Sequence, residues 1–178
     1  SPIPEHDITK TAIEDELIAQ DYATLRAEET EIPDNIHINV YIEDARQTVQ
    51  NLADNTYDAI FLDPFSQNMA PELFSVEFFK EVRRIIKDDG IVATYTSSAP
   101  VREGFIDAGF YIGLGPIFGR KQGGTLASPN PSMLEHSLPR NDEIRIALSD
   151  VGIPFRDPGL NGSSEDILER RTEERHNA

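Results

Sequence analysis

The feature that most constrains this chain is a short apolar run, Ala-Ile-Phe-Leu at residues 59–62, that ends abruptly at Asp63 and Pro64. Such a run, closed by a turn signal, is typical of a parallel strand that is covered on both faces. Pro64 has no N–H to donate to a neighbouring strand, so the strand is expected to end there. Asp63 is then the last side chain of a central strand, at the crevice where open α/β sheets bind ligands. The alternative is that Asp63 only caps the following loop through its own backbone.

The remaining pattern alternates strands with helices. Apolar spacing and turn residues predict strands at 36–42, 59–62, 91–96, 110–114 and 125–128, and helices from residue 7 or 9 to about 29 and at about 45–54, 71–87 and 100–108. Gly90 and Gly109 are predicted to cap the last two helices. This alternation predicts an α/β fold with a parallel, right-handed, doubly wound sheet. The last two strands, which no helix connects, predict an antiparallel edge.

The composition changes after residue 128. Residues 1–128 carry the alternating pattern and are interpreted as the folded domain, whereas residues 129–178 begin with a proline-rich stretch. Short helices are predicted within 142–148 and 164–175. We interpret 129–178 as an irregular and helical tail that wraps on the domain and is partly mobile.

Composition excludes several classes of protein. The chain of 178 residues has no cysteine, which excludes disulfides, thiolate catalysis and cysteine-based zinc sites. It has no apolar run near about 18 residues, so no membrane span is predicted. No secretion signal is recognised at its start, and a soluble cytoplasmic protein is expected. The net charge of −16 repels nucleic-acid phosphates at long range, so an RNA partner would require a local basic patch.

Two acidic side chains stand at the ends of strands that are predicted to be near each other. Asp44 follows the strand at 36–42, and Asp63 follows the strand at 59–62. Two acids at one sheet edge suit a ligand that carries hydroxyl, amino or cationic groups, such as an adenine or a sulfonium. Asp44 could instead cap the helix that begins at Ala45, and both roles can hold at once.

The densest positive point in the folded part is Arg120-Lys121, within the loop before the last strand. This pair could meet a phosphate backbone, although a solvated loop is the simpler interpretation. The histidines are scattered without metal-ligand spacing, so no metal site is predicted.

Several short motifs also follow one another through residues 35–128. They are Asp44-Ala45-Arg46, Phe61-Leu62-Asp63-Pro64-Phe65-Ser66, Asn68, Pro71-Glu72-Leu73-Phe74, Thr96-Ser97-Ser98, Val101-Arg102, Ala108-Gly109-Phe110, Gly119-Arg120-Lys121 and Thr125-Leu126-Ala127. Together they resemble the methyltransferase domain of the MnmC family, which methylates an aminomethyl group on the wobble uridine of certain tRNAs. The resemblance implies a Rossmann-like methyltransferase fold, S-adenosylmethionine as cofactor and tRNA as partner.

The resemblance also implies roles for particular residues. Asp44 would contact the adenine of the cofactor, and Asp63 would be the catalytic residue, beside the methyl donor and the acceptor amine. The remaining implied contacts are Ala45, Pro64 and Phe65 for the cofactor, and Ser66, Arg120 and Lys121 for the substrate RNA.

The family opens with a strand and a Gly-rich loop that cradle the cofactor, and neither is recognised in this sequence. The chain would then be a fragment, or be completed by a partner, or have lost cofactor binding. An N-terminally truncated, inactive domain that acts as an interaction module is therefore the alternative function. The missing strands would also expose an edge of the sheet, and such an edge invites pairing. We therefore expect a homodimer or a partner chain that covers it.

Overall fold

The structure, a computed structural model, describes residues 39–116 and 123–177. The chain divides into two compact units, Ser1–Ala45 and Arg46–Ala178, and the fold below is that of the second. The helix predicted to end near residue 29 lies outside the described residues. So does most of the strand predicted at 36–42, of which residues 39–42 are described and form no strand.

The described elements alternate much as the sequence predicts. In chain order they are helix α1 (Ala45–Asn51), strand β1 (Tyr57–Leu62), helix α2 (Val76–Ile85), strand β2 (Ile86–Thr94), helix α3 (Ala99–Asp107), strands β3 (Tyr111–Leu114) and β4 (Thr125–Ser128), and helices α4 (Arg140–Leu148) and α5 (Ser164–His176). Short 3₁₀ turns are formed by Pro71–Phe74, Pro131–Met133 and Asp150–Gly152.

The strands of the described residues form one sheet in the order β1-β2-β4-β3. Strand β1 is parallel to β2, whereas β4 is antiparallel to both β2 and β3. Strands β1, β2 and β3 therefore run in one direction, and only β4 is reversed. The predicted α/β class and the antiparallel edge are confirmed, with β3 outermost and β4 second from the edge.

Aromatic packing joins the helices to the sheet. The rings of Phe79 on α2 and Phe105 on α3 stack with their centroids 3.9 Å apart, and both side chains are fully buried. Phe110, which leads into β3, meets Phe105 edge-on at 5.5 Å. Helix α2 begins where the Ser75 hydroxyl accepts a hydrogen bond from the Phe78 N–H at 3.2 Å. The apolar face that α2 presents is therefore anchored at its first turn.

The predicted end of the second long helix is wrong. The helix ends at Ile85, and Gly90 lies inside β2 instead of capping a helix. Tyr57 of β1 pairs with Ile86, but Ala59 pairs with Ile91, so residues between them form an irregularity in the ladder. A Cβ atom on Gly90 would lie 2.5 Å from Cγ1 of Ile86, which explains the glycine. Gly109 does follow a helix in the predicted way, with a φ of 91°.

Strand β1 is not covered on both faces, contrary to expectation. Leu62 is buried, but the side chain of Phe61 is 85% exposed and Ala59 is also exposed. Strand β1 is outermost in the described sheet, with β2 as its neighbour on one side. The apolar character of the run was therefore no guide to burial at these two positions.

The segment after β4 contributes to the same core. Phe155 and Ile167 are 2% and 1% exposed, and the Val76 N–H donates to the Phe155 carbonyl at 3.0 Å. Asp157, 2% exposed, forms an ion pair with Arg46 of α1 at 2.8 Å. These contacts bind the described part of 129–178 to α1 and α2. The domain boundary at residue 128 stays a prediction.

The stacked ring pair predicts a large loss of stability in Phe105→Ala. Removing a fully buried aromatic side chain is expected to lower the free energy of unfolding by about 3–5 kcal/mol. Urea denaturation measures this loss. Ile106→Ala, at a neighbouring position that is 42% exposed, is the control and should cost under about 1 kcal/mol. Equal losses in the two variants would contradict the packing described.

Glu103 on α3 predicts a pH-dependent gain of stability in Glu103→Gln. Burial raises the pKa of Glu103, and the negative charge of Asp107 raises it further. Folding therefore opposes ionisation of this carboxyl, and the opposition grows as pH rises through its pKa in the folded state. Glu103→Gln should raise Tm near neutral pH and leave it unchanged in acid, where the native carboxyl is protonated.

Thermal melts between about pH 3.5 and about pH 7.5 measure this difference. Glu173→Gln removes the same charge from an exposed position on α5 and is the control. A gain for Glu103→Gln that is the same at both pH values would contradict the explanation.

The outer edge of β1 predicts self-association of the chain. Among the described residues no strand pairs with this edge, and Phe61 is 85% exposed beside it. A second copy of the chain, or another chain, is expected to cover it. Sedimentation velocity of the purified chain should show a dimer, and Phe61→Glu should shift it toward monomer. Tyr111→Glu, on the opposite edge strand, should not, and a monomeric wild-type chain would contradict the prediction.

Candidate functional site

The carboxyl ends of β1, β2 and β3 meet the beginning of β4 at one edge of the sheet. A hollow of about 490 Å³ lies at this edge. It is lined by residues 61–63, 93–95, 115–116 and 123–126, and we call it the edge hollow. It occupies the position at which open α/β sheets bind ligands.

Asp63 is brought to the rim of the edge hollow by the end of β1. Its side chain is exposed, and Pro64 behind it is half-buried. Phe65 is 69% exposed, and its carbonyl accepts a hydrogen bond from the Tyr95 hydroxyl at 3.3 Å. The loop after β1 is thus held against the loop after β2, with an acid and two aromatic side chains nearby.

The lining of the edge hollow includes Thr94, whose hydroxyl oxygen has no hydrogen-bond partner among the described residues. Thr94 is 8% exposed, and its Oγ1 neither donates nor accepts a hydrogen bond within the described part of the chain. A buried hydroxyl left in this state costs about 1–3 kcal/mol. A ligand that supplies a hydrogen-bonding group here would remove that cost.

Glycines bring the backbone segments of the hollow close together. A Cβ atom on Gly124 would lie 2.1 Å from the carbonyl oxygen of Thr94, and one on Gly123 would lie 2.1 Å from that of Gly115. No side chain fits at either position. Glycine at positions 123 and 124 therefore lets this segment pack directly against the backbone of residues 94 and 115.

A second hollow, of about 470 Å³, opens on the loops after β1 and β2. Four arginines contribute to its lining, and we call it the arginine cleft. Its lining residues are Gln67, Asn68, Ser97, Ser98, Ala99, Pro100, Arg102, Asp142, Arg145, Ile146, Val151, Phe155, Arg171 and Arg175. The cleft thus combines the first turn of α3 with side chains of α4 and α5.

The two hollows share a buried hydrogen-bonded link. Arg102 donates through Nε to the Thr125 hydroxyl at 3.0 Å, and this hydroxyl donates to the Thr96 carbonyl at 2.8 Å. Thr125 lines the edge hollow, whereas Arg102 lines the arginine cleft. Burial lowers the pKa of Arg102, an effect that the negative charge of Asp142 opposes.

The arginines of α5 that line the cleft, Arg171 and Arg175, are positioned by contacts with residues 150–155. Arg171 donates to the Ile153 carbonyl at 2.6 Å and lies over the ring of Phe155, 4.9 Å from its centroid. Burial lowers the pKa of Arg171, and the charge of Arg175 lowers it further. Arg175 pairs with Asp150 at 2.7 Å, and this hydrogen bond lowers the pKa of Asp150.

The structure brings together only some of the predicted site residues. Asp63, Pro64, Phe65 and Ser66 lie in one loop beside the edge hollow, as their sequence dictates. Asp44 is exposed and precedes α1.

Asp44 and Ala45 belong to the other compact unit, so a shared site with Asp63 stays a prediction. Arg120 and Lys121 lie outside the described residues.

Several lining residues were not anticipated as site residues. Thr94 ends a strand whose apolar pattern suggested only core, and Arg145, Arg171 and Arg175 belong to a segment that was interpreted as a tail. Of these lining residues, only Arg102 could have been identified as a candidate from the sequence. It lies just after Pro100, near the start of a helix that follows a parallel strand. For the arginines of α4 and α5 the sequence contains no comparable signal.

Neither a metal centre nor a membrane helix is visible in the described ranges. Within residues 39–116 and 123–177, no group of three or more histidine, aspartate or glutamate side chains could hold a metal ion. Helices in the same part of the chain are all too short or too polar to cross a bilayer.

Comparison with known proteins links this geometry to a family. A family model described as S-adenosyl-L-methionine-dependent methyltransferase matches residues 9–130. The crystal structure of MnmC2 from Aquifex aeolicus superposes with a TM-score of 0.75 and 27% identity over 89% of this chain and 51% of that one.

Sequence comparison also finds relatives of this chain. An uncharacterised protein of Methanocaldococcus jannaschii is 34% identical over 174 residues, which are 98% of this chain and 47% of that protein. The tRNA 5-methylaminomethyl-2-thiouridine biosynthesis bifunctional protein MnmC of Ralstonia nicotianae is 41% identical over 71 residues, 40% of this chain and 11% of its own length. The chain thus spans about half, or less, of the length of these relatives.

Proposed function

The chain belongs to the S-adenosyl-L-methionine-dependent methyltransferase family, and on that premise we propose that it methylates an amine on tRNA, the aminomethyl group of a wobble uridine. The names of the MnmC relatives, which refer to tRNA 5-methylaminomethyl-2-thiouridine biosynthesis, support this acceptor. The observation that carries the proposal is the position of Asp63 on the rim of the edge hollow, at the carboxyl ends of parallel strands.

The edge hollow fits part of such a cofactor. The Thr94 hydroxyl, which makes no hydrogen bond within the described residues, offers one to a ligand, and a volume of about 490 Å³ suits one end of a small molecule. When bound, S-adenosylmethionine supplies an electrophilic methyl group on a positively charged sulfur. Asp63, Pro64 and Phe65 would hold this end of it, and Asp44 and Ala45 would contact its adenine end.

The proposed reaction requires the chain to position the amine and to accept one proton. Methyl transfer to an amine forms an N–C bond as the S–C bond breaks, so the nitrogen must approach in line with its lone pair free. Positioning of this kind supplies much of the rate in bimolecular reactions. The Asp63 carboxylate would orient the amine through one N–H and accept the proton that the nitrogen releases.

Exposed aromatic rings next to Asp63 would position the acceptor base. Phe65 is 69% exposed and Tyr95 is 44% exposed. Bases that are splayed out of a loop commonly stack on such rings in RNA-binding proteins. Ser66 would add a hydrogen bond, and Arg120 and Lys121 would meet RNA phosphate.

The proposal predicts a selective loss of methyl transfer in Asp63→Asn. The amide keeps the shape of the side chain but cannot accept the proton, so kcat/KM should fall roughly a hundredfold or more. Transfer of labelled methyl from S-adenosylmethionine to a tRNA that carries 5-aminomethyl-2-thiouridine measures this. Asp58→Asn, which removes the same charge at the other end of β1, is the control and should change the rate little. Equal effects of the two variants would contradict the role of Asp63.

Calorimetry separates this function from the alternative of an inactive interaction module. Titration of the wild-type chain with S-adenosylmethionine should give a Kd tighter than about 1 mM, or about −4 kcal/mol. Weaker binding, together with no methyl transfer by the wild-type chain, would favour the interaction module.

A further inference from the structure

We propose that the arginine cleft binds a backbone phosphate of the acceptor RNA. This inference rests on the proposed function, because it places the RNA beside the hollow where methyl transfer would occur. It identifies a phosphate site apart from the Arg120-Lys121 loop, on residues that the structure describes.

Positive charge is concentrated in the arginine cleft. The chain carries a net charge of −16, yet four guanidinium groups line one cleft of about 470 Å³, against the single lining carboxylate of Asp142. Asp150 also faces Arg175, and the two are paired at 2.7 Å. Guanidinium groups still outnumber carboxylates here, so the cleft attracts anions locally.

Two of these guanidinium groups, those of Arg102 and Arg145, retain open hydrogen-bonding capacity. Arg102 is 6% exposed and donates only through Nε, so its terminal nitrogens make no hydrogen bond within the described part of the chain. Arg145 is exposed and forms no ion pair or hydrogen bond through its side chain in that same part. A planar guanidinium with free terminal N–H groups matches the paired oxygens of a phosphate.

The first turn of α3 also lines the arginine cleft. The hydroxyl of Ser98, which precedes the helix, does not accept a hydrogen bond from that turn but donates to Gln67 at 2.8 Å. Ala99 and Pro100 of the turn line the same cleft as Arg102. The helix thus adds its partial positive charge to the guanidinium groups.

The arginine cleft lies close to the edge hollow. The loop after β1 carries Asp63 on the edge hollow and Gln67 and Asn68 on the arginine cleft. Four peptide links separate Asp63 from Gln67, so their Cα atoms are no more than ~15 Å apart. An RNA strand that presents one nucleotide at Asp63 can therefore place a neighbouring phosphate in the cleft.

The test compares two arginines on helix α4. Arg145 lines the cleft, whereas Arg140, also exposed, does not. Fluorescence anisotropy with a labelled oligouridylate of roughly eight nucleotides measures binding to the full chain. Arg145→Gln should weaken binding roughly tenfold, the scale of one charge-assisted hydrogen bond.

The salt dependence of binding and a control variant distinguish a lost phosphate contact from a change in distant charge. The slope of log K against log salt should fall in magnitude by about 0.7 in Arg145→Gln, because one phosphate contact on a single strand is lost. Arg140→Gln should bind within about twofold of the wild-type chain, since it changes only distant charge. On α5, Arg175→Gln against Arg170→Gln provides a second matched pair.

The outcomes separate this inference from the proposed function. If S-adenosylmethionine binds and Asp63→Asn impairs methyl transfer while Arg145→Gln binds the oligonucleotide like Arg140→Gln, only the phosphate site is overturned. If S-adenosylmethionine does not bind but Arg145→Gln still weakens oligonucleotide binding, the phosphate site stands and the methyltransferase proposal fails. Arg145-dependent binding of inorganic phosphate without binding of the oligonucleotide would also overturn the inference.

Discussion

The Thr125 hydroxyl is the constraint on which both hollows depend. Strand β4 enters the sheet between β2 and β3, and its first residue, 1% exposed, accepts from Arg102 and donates to the Thr96 carbonyl. The hydroxyl therefore ties a strand end, a loop and a helix together at a single atom. Because the link is buried, it holds Arg102 at the boundary between an apolar core and a charged cleft.

Much of the fold was predictable from local pattern, and the exceptions have physical reasons. Helix α3 and strands β3 and β4 lie close to their predicted positions, since glycines and prolines mark their ends. The sequence Asp-Asp-Gly before residue 91 indicated a helix end, but it forms an irregularity in β2 that only pairing with β1 could reveal. Exposure of Phe61 likewise depends on what covers the sheet, which hydrophobicity does not specify.

The candidate site likewise has one part that the sequence predicted and one part that it did not. Asp63 was predictable because a strand that ends at a proline fixes where the preceding side chain stands. The arginine cleft was not, because its arginines come from α3, α4 and α5, and their meeting depends on how residues after 129 fold back on the sheet. Sequence spacing predicts neighbours within one element, not convergence between distant ones.

Charge distribution reconciles an acidic chain with the RNA substrate that we propose. At physiological salt the field of exposed charges falls off over about 8 Å, so a distant acidic surface contributes little inside a cleft. Arg102 and Arg171 are partly or wholly removed from water, where screening is weaker still. One buried and one half-buried guanidinium group, those of Arg102 and Arg171, can therefore give the cleft a local preference for anions despite the net negative charge of the chain.

The ion pair between Arg46 and Asp157 joins positions 111 residues apart in the sequence. Asp157 also accepts from the Gly162 N–H at 2.9 Å, and Arg46 donates to the Gly162 carbonyl at 2.8 Å. A premature stop codon anywhere ahead of position 157 would thus remove both of these acceptors of Arg46. The segment that contains Asp157 and Gly162 therefore helps to decide whether helix α1, more than a hundred residues earlier in the sequence, keeps its place.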